Sequence, residues 1–296
     1  MNSLNSVNSI LSKVCGVPLR KVKRWHLLVS NLGLDSLARI ELIIKIKERF
    51  GVEIDESYIN SATKVEDVRT VIDNRISKDS GKFKVWSWVR TPALLTVRAF
   101  LQRLALPIIR LRVRVHSKNS QSAETVFQNG LNTIFVSNHS SHFDTLAFLA
   151  SLSPKARSKI VVAAAEDYMF RSRLVAFFTS LFVNVYPFSR RRGYASFVRT
   201  RQIVKEGWSI LFYPEGTRSR DGKIQMFKPG IGLFVNKLNI PIIPVRIKGT
   251  FDVLPKGMKL PKKGAVTVTF GRVMNFGKHE TPLAITRKIE EAVRFL

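Results

Sequence analysis

The chain has 296 residues, enough for about two domains, and its 45% hydrophobic content supports a packed core. Forty-nine Lys and Arg residues against 21 Asp and Glu give a formal net charge of +28, which favours a polyanionic partner: a nucleic acid, an anionic membrane surface or a phosphorylated substrate. The one cysteine, Cys15, excludes an internal disulfide and fits a reducing cytosol.

A polar segment divides the chain into two parts of different pattern. The stretch "NRISKDSGKFK" separates a helical first part from a longer part in which strands and helices alternate. We predict a first domain at residues 1–76, a linker at 77–84 and a second domain at 85–296. The N-terminus lacks the basic and long apolar regions of a signal peptide, so we expect none. The first 78 residues carry 13 basic and 9 acidic residues, so most of the positive charge lies in the second part.

The first part predicts two amphipathic helices. One begins at Ser36, with Asp35 as its N-cap residue and Gly51 after its end. The other begins within "SATKVEDV". Apolar residues recur at helical spacing in both. They are Leu37, Ile40, Ile43, Ile44 and Phe50 in the first helix and Val65, Val68, Val71 and Ile72 in the second.

The order of "LGLDSL", "ERFGVEI" and "TKVEDV" resembles that of acyl carrier proteins over residues 7–76. The resemblance implies a small helical bundle in which Ser36, beside Asp35, carries 4'-phosphopantetheine added by a phosphopantetheinyl transferase. An exposed hydroxyl at a helix N-terminus suits this modification, because the backbone N–H groups and helix dipole there favour a phosphate. The sequence departs from the family in one respect. The helix after Ser36 is rich in Lys and Arg, where carrier proteins usually show acidic residues to their partners.

Two apolar segments of the second part raise the question of a membrane. The segment "PALLTVRAFLQRLALPIIR" predicts a helix with one apolar and one polar face, which fits either a membrane interface or packing on the protein's own core. The run from Leu174 to Phe188 is shorter than the ~20 residues of a spanning helix, so we predict a buried helix leading into a strand. The apolar face of the first helix comprises Leu94, Val97, Leu101, Leu104 and Ile108, and its polar face comprises Arg98, Gln102 and Arg103.

Six further segments read as strands with helices between several of them, an order that predicts an α/β domain with a mixed sheet flanked by helices. They are residues 111–115, 133–137, 159–165, 209–214, 242–249 and 266–270.

The cluster "NHSSHFD" follows one of these strands. His139 and Asp144 are expected to face one crevice at the carboxyl end of the strand. Acyl transfer to a hydroxyl requires a base, which an imidazole provides near neutral pH, and a neighbouring carboxylate can fix its tautomer. His142 is more simply explained as part of a capped turn.

A second cluster, "YPEGTRSRDG", also follows a strand. It supplies Glu215, Gly216, Thr217 and Arg218; glycine permits close backbone approach to a ligand, and arginine can hold a phosphate. Three arginines, Arg190, Arg191 and Arg192, follow another apolar run, and only one of them is expected to point inward. Pro241 and Pro244 bracket the start of a later strand.

Taken in chain order, the histidine cluster, the three arginines, the "EGTR" cluster and the two prolines resemble the 1-acylglycerol-3-phosphate acyltransferase family over residues 108–276. The resemblance implies that His139 is the general base and Asp144 its partner. It also implies that Arg190, Glu215, Gly216, Thr217 and Arg218 bind the acceptor and that Pro241 and Pro244 shape the site. The five scattered histidines and single cysteine predict no metal site.

The sequence therefore predicts transfer of an acyl group from a phosphopantetheine thioester to a lysophospholipid, in phospholipid biosynthesis. We expect a peripheral location on the cytoplasmic face of a membrane with an anionic surface. A carrier or scaffold protein with a lipid-docking second half, and an acyltransferase for a non-phosphate lipid or specialised metabolite, remain as alternatives. Nucleic-acid binding is not expected, because the basic residues are dispersed and no recognition motif is present.

Overall fold

The computed structural model describes residues 3–50, 52, 54–75, 90–169, 173–189, 193–255, 257–258, 260–277 and 279–296. The chain divides into two compact units. The first comprises Met1–Lys84 with Ser189–Arg199, and the second comprises Val85–Phe188 with Thr200–Leu296. The predicted linker at 77–84 lies outside the described residues, so its boundaries stay predictions.

The N-terminal part of the first unit is a small helical bundle, as predicted. Its helices are α1 (Ser3–Cys15), α2 (Ser36–Phe50) and α3 (Val65–Arg75), with 3-10 turns at Leu19–Lys21 and Glu56–Tyr58. The predicted stripe of α3 is confirmed at three of its four positions, whereas that of α2 is only partly correct. The buried side chains of these helices are Val7 and Leu11 of α1, Leu42, Ile43, Ile44 and Ile46 of α2, and Val65, Val68 and Ile72 of α3.

The second unit is built on a mixed sheet, which confirms the predicted class. Its strands in the described residues run in the spatial order β1-β7-β6-β2-β5-β3-β4, and only the β6–β7 pair is antiparallel. The strands are β1 (Val113–Lys118), β2 (Ile134–Ser137), β3 (Ile160–Ala165), β4 (Val185–Phe188), β5 (Ser209–Phe212), β6 (Ile242–Lys248) and β7 (Gly264–Phe270).

Helices connect most of these strands. They are α4 (Pro92–Arg112), α5 (Gln121–Gln128), α6 (Phe143–Ala150), α7 (Pro154–Ser158), α8 (Glu166–Met169), α9 (Arg173–Val183), α10 (Gly193–Lys205), α11 (Gly230–Leu238), α12 (Thr250–Val253) and α13 (Pro282–Phe295). Each predicted strand is present, but the first begins two residues late because α4 continues to Arg112.

Helix α6 is fixed against the sheet by aromatic packing. Phe135 of β2 lies edge-on to Phe148 of α6, with ring centroids 5.1 Å apart, and also contacts Phe270 of β7 at 6.3 Å. All three rings are buried. Since β2 and α6 flank the segment "NHSSH", this packing sets the distance across which that segment must turn.

Helix α4 turns Arg98 and Gln102 of its predicted polar face inward, whereas Arg103 is exposed. Arg98 donates to the backbone oxygens of Ser180 and Leu181 at 2.9 and 3.1 Å, and Gln102 donates to the Phe182 oxygen at 2.6 Å. These carbonyls lie in the last turn of α9, where a helix leaves most of its C=O groups without backbone partners; that of Ser180 also accepts from the Asn184 N–H at 3.2 Å. Burial and the nearby Arg90 lower the pKa of Arg98 to about 10, so the guanidinium remains charged at neutral pH.

The apolar face of α4 points outward. Val97, Leu104 and Ile108 of the predicted apolar face are 42%, 53% and 66% exposed, as is the neighbouring Phe100 at 60%, so packing on the protein's own core is wrong for these residues. Leu94 and Leu101 of the same face are half-buried. By length and composition α4 could cross a membrane. In α9, the predicted helix and following strand are present, but Leu174 and Phe178 are exposed, so the prediction of a buried helix is wrong for that face.

Close packing of α11 on α13 depends on Gly232. A Cβ atom on Gly232 of α11 would lie 1.9 Å from the Pro282 carbonyl oxygen of α13. We expect Gly232→Ala to lower the free energy of unfolding by at least the ~1–3 kcal/mol typical of overpacking, measured by chemical denaturation. Gly230→Ala is the matched control in the same helix, because nothing lies within 4 Å of its Cβ position. Equal stability of the two variants would contradict this packing.

Candidate active site

The two polar clusters lie together at one edge of the sheet. β2 and β5 are parallel neighbours, and they end at Ser137 and Phe212. His139 follows the first strand by two residues and Glu215 follows the second by three. The two motifs therefore meet at one edge, as expected, because carboxyl ends of parallel strands lie at the same edge of a sheet. That they open on a crevice stays a prediction, since the Asp144 side chain is fully buried.

Asp144 holds the imidazole of His139. Its carboxylate, fully buried in the first turn of α6, accepts at Oδ2 from His139 Nδ1 at 2.8 Å and from the N–H groups of Ser140 and Ser141 at 2.7 and 2.9 Å. Because the Nδ1–H group donates to Asp144, the proton of the neutral ring lies on Nδ1, and the other ring nitrogen, Nε2, carries the free lone pair. The His139 side chain is 19% exposed, so the crevice leaves it partly accessible.

Tyr213 supports the imidazole from one face. The two rings are stacked, with centroids 4.2 Å apart and planes 17° from parallel. The Tyr213 hydroxyl shares a hydrogen bond of 3.0 Å with Thr145 of α6. Burial, together with the charge of Asp144, raises the pKa of Tyr213 well above its ordinary value, so the hydroxyl stays protonated. The sequence motifs indicated no role for Tyr213, although an aromatic residue directly after β5 was a signal for it.

Glu215 fastens the second cluster to the first. Its Oε1 accepts from the His139 backbone N–H at 2.7 Å, and its Oε2 accepts from the Gln225 N–H at 2.9 Å. The Ser219 N–H in turn donates to the His139 carbonyl at 2.8 Å. Burial raises the pKa of Glu215, and the two backbone N–H groups oppose this shift. Both backbone polar groups of His139 are thus held by the loop after β5.

Two cations flank the same loop. Gly216 adopts a φ of +74°, in the left-handed region, and a Cβ there would lie only 3.0 Å from the Lys228 Cε. Lys228 is exposed and Arg218 half-buried. Partial desolvation, followed by the positive charges of Arg218 and His139, lowers the pKa of His142 to about 4. The charge of Arg218 therefore acts on His142 at this edge of the sheet. His142 is neutral at physiological pH. Sequence reasoning missed Lys228.

Asn138 joins the His139 segment to β6. Its side-chain amide donates to the Ile247 carbonyl at 2.9 Å and accepts from the Ile247 N–H at 2.8 Å. A side chain that satisfies both backbone groups of one residue replaces a strand partner. This buried asparagine was not assigned a role from the sequence, since its partner is 109 residues away.

Two proposed site residues, Pro241 and Pro244, are not brought to this edge. Pro241 precedes β6 at the opposite end of the sheet, where its carbonyl accepts from the N–H of Ile134 at the start of β2. Pro244 is buried within β6 beside Val136. About 13 Å of strand separates Pro241 from the His139 edge. Arg190 lies outside the described residues, as do Arg191 and Arg192.

The N-terminus of α2 has the geometry that phosphopantetheine attachment needs. Ser36 is exposed in the first position of the helix, and Asp35 caps it by accepting from the Ala38 N–H at 2.7 Å. The predicted N-cap is thus present. The hydroxyl lies at the positive end of the helix dipole, where the incoming phosphate is favoured.

Comparisons with known proteins match both units. The family model "Phosphopantetheine attachment site" matches residues 5–71, and "Acyltransferase" matches residues 112–248. An acyl carrier protein of Campylobacter jejuni is 34% identical over 74 residues, 25% of this chain and 96% of that one. A chloroplastic 1-acyl-sn-glycerol-3-phosphate acyltransferase of Brassica napus is 28% identical over 146 residues, 46% of this chain and 39% of that one. The chain belongs to the acyl carrier protein family through its first part. It joins this acyl carrier domain to a domain that matches the acyltransferase family model and is similar to 1-acyl-sn-glycerol-3-phosphate acyltransferases.

The fold of the acyltransferase domain has a solved counterpart. The crystal structure of the 1-acyl-sn-glycerophosphate acyltransferase PlsC from Thermotoga maritima aligns with a TM-score of 0.53 at 22% identity, over 70% of this chain and 79% of that one. The chain spans about two fifths of the length of the plant acyltransferases that it matches.

The hydrogen bonds that Glu215 accepts from two backbone N–H groups can be tested without substituting His139. In Glu215→Gln, one side-chain oxygen becomes an N–H donor facing a backbone N–H, which leaves a buried group without its acceptor and costs about 1–3 kcal/mol. We expect faster amide exchange at His139 and Gln225 and slower acyl transfer. Glu280→Gln is the control, since Glu280 accepts from the Gly277 N–H in an exposed loop. Unchanged exchange at both amides would contradict the assignment.

Proposed function

We propose that the chain transfers a fatty acyl group from a thioester donor to the hydroxyl of a lysophospholipid, most simply 1-acylglycerol-3-phosphate. The observation that carries the proposal is the His139–Asp144 pair, in which Asp144 Oδ2 lies 2.8 Å from His139 Nδ1 and leaves Nε2 as the ring nitrogen not engaged by the carboxylate. The match of the acyltransferase domain to its family supports the same reaction.

The chemistry follows from the roles of these groups. His139 Nε2 takes the proton of the acceptor hydroxyl, and the oxygen attacks the thioester carbonyl. The buried Asp144 stabilises the imidazolium that forms. As the C–S bond breaks, the proton passes from His139 to the leaving sulfur, so the base is regenerated. No acyl group needs to be attached to the enzyme in this sequence.

The loop after β5 supplies the acceptor site in this proposal. Arg218 and Lys228 bring two positive charges to it, which suits a phosphate monoester. The bend at Gly216 brings backbone close to the ligand. Glu215 is a positioning residue here, because both of its oxygens bind backbone N–H groups of the loop. Thr217 is exposed and available to the acceptor, whereas Pro241 and Pro244 support the sheet.

We further propose that the carrier domain feeds the acyltransferase domain, with the linker at residues 77–84 between them. Phosphopantetheine on Ser36, when bound, supplies the thiol that carries an acyl group. Tethering raises the effective concentration of a donor to the millimolar range, so the basic α2 need not compete for free partners. Free acyl carrier protein and acyl-CoA are the alternative donors, and a non-phosphate lipid is the alternative acceptor.

Two inactive variants separate these possibilities. Ser36→Ala should accept no phosphopantetheine, and His139→Ala should take the arm and an acyl group but transfer it about 10²–10⁴-fold more slowly. Acyl-loaded wild type should discharge onto lysophospholipid at a rate independent of protein concentration. In a mixture of the two variants, the discharge rate should depend on protein concentration. The feeding proposal fails if loaded wild type never discharges while acyl-CoA is used well; if neither donor is used, the acyltransferase proposal itself fails.

We place the protein at the cytoplasmic face of a membrane, on the grounds of its charge and of the outward apolar face of α4. Gln in place of Phe100, Leu104 and Ile108 should lower partition onto lipid vesicles at least tenfold, since burying each such side chain contributes about 1.5–3 kcal/mol. Folding should persist, because these side chains are exposed. The matched control replaces Leu131, Leu260 and Val273, which are also exposed. Equal effects of the two triple variants, measured by co-sedimentation, would refute a specific role for α4.

A further inference from the structure

A short loop of the carrier domain combines cations with exposed apolar side chains. In this basic loop, Leu19–Trp25, the apolar ends Leu19 and Trp25 are 52% and 67% exposed. Between them only Val22 is buried. The remaining four residues, all exposed, are Arg20, Lys21, Lys23 and Arg24.

The backbone of the basic loop is fixed to the bundle. Val22 packs into the core, and the Arg24 carbonyl accepts from the Glu66 N–H at the start of α3 at 3.0 Å. The next residue but one, His26, accepts from the Val65 N–H at 3.0 Å. Since the backbone is already ordered, binding through the loop requires little further loss of conformational entropy.

The loop borders a groove of about 440 Å³. Trp25 and Lys21 line it together with Asn31 and Leu32. In the chain, Ser36 follows Leu32 by four residues and begins α2. A surface that engages the basic loop would therefore also meet the groove whose lining includes Asn31, five residues before the acyl attachment site.

We propose that the basic loop docks the carrier domain on an anionic lipid surface. Four cations complement anionic headgroups, and each contributes about fivefold in affinity near such a surface. An exposed tryptophan beside cations suits the level of the headgroups, where its amphipathic ring is favoured. Leu19 adds a second apolar contact. Docking holds the carrier domain at the surface where a lysophospholipid acceptor resides, and it adds a contact independent of the outward face of α4.

Local hydrogen exchange on the full-length, phosphopantetheinylated chain tests the proposal. Vesicles of phosphatidylcholine with about a third phosphatidylglycerol should slow amide exchange in residues 19–25 severalfold, because docking excludes water from this loop. Pure phosphatidylcholine vesicles should not, and high salt should reverse the protection. The readout is confined to the loop, so binding through α4 alone leaves it unchanged. Absence of protection on anionic vesicles that bind the chain would overturn the proposal.

Matched variants separate this loop from general positive charge. Replacing Arg20, Lys21 and Lys23 by Gln should abolish the protection. Trp25→Ala should weaken it, and the domain should stay folded because Trp25 is exposed. The control replaces Lys45, Lys47 and Arg49 by Gln, with the same charge change roughly 14–20 Å along α2 from Ser36. Equal loss in both triple variants would overturn the proposal. So would protection by an acidic protein, such as the modifying transferase, without protection by anionic vesicles.

Discussion

The site depends on one carboxylate oxygen that is removed from water. Asp144 Oδ2 accepts three hydrogen bonds, from an imidazole and two backbone N–H groups, and each bond to a charged acceptor contributes about 1.5–3 kcal/mol. These bonds offset the desolvation of a carboxylate that is fully buried. They also fold the segment between β2 and α6 into one conformation, which orients His139. The catalytic geometry and the local backbone structure are therefore one arrangement.

The loop after β5 completes that arrangement by holding the backbone of the same histidine. Glu215 and Ser219 engage the N–H and carbonyl of His139, and Asn138 ties the preceding residue to β6. Three strands thus contribute to the position of one imidazole. If His139 is the base, as proposed, this preorganisation fixes it before substrate arrives, so little reorganisation is needed during reaction. A motif residue that is expected to bind substrate can therefore instead form hydrogen bonds to the protein's own backbone, as Glu215 does.

The apolar surface of α4 follows from the polar groups that it buries. Arg98 and Gln102 satisfy the carbonyls at the end of α9, and this requirement turns the opposite face of the helix toward solvent. In the carrier domain, Leu19 and Trp25 are exposed beside four cations. The proposed transfer from a carrier domain to a lipid acceptor would need both at one surface, and each unit presents exposed apolar side chains suited to it.

Local sequence determined the elements of this protein, the N-cap at Asp35, the exposed Ser36 and the pairing of His139 with Asp144. Each depends on contacts within a few residues: the cap spans three positions and the histidine–aspartate pair spans five. Only the tertiary structure decided which face of α4 is buried, because the partners of Arg98 lie about 80 residues away. It likewise assigned Glu215 and Asn138 to backbone support and Pro241 to the far end of the sheet. Sequence spacing carries no information on hydrogen bonds that form across strands, whereas the strand order brings those partners together.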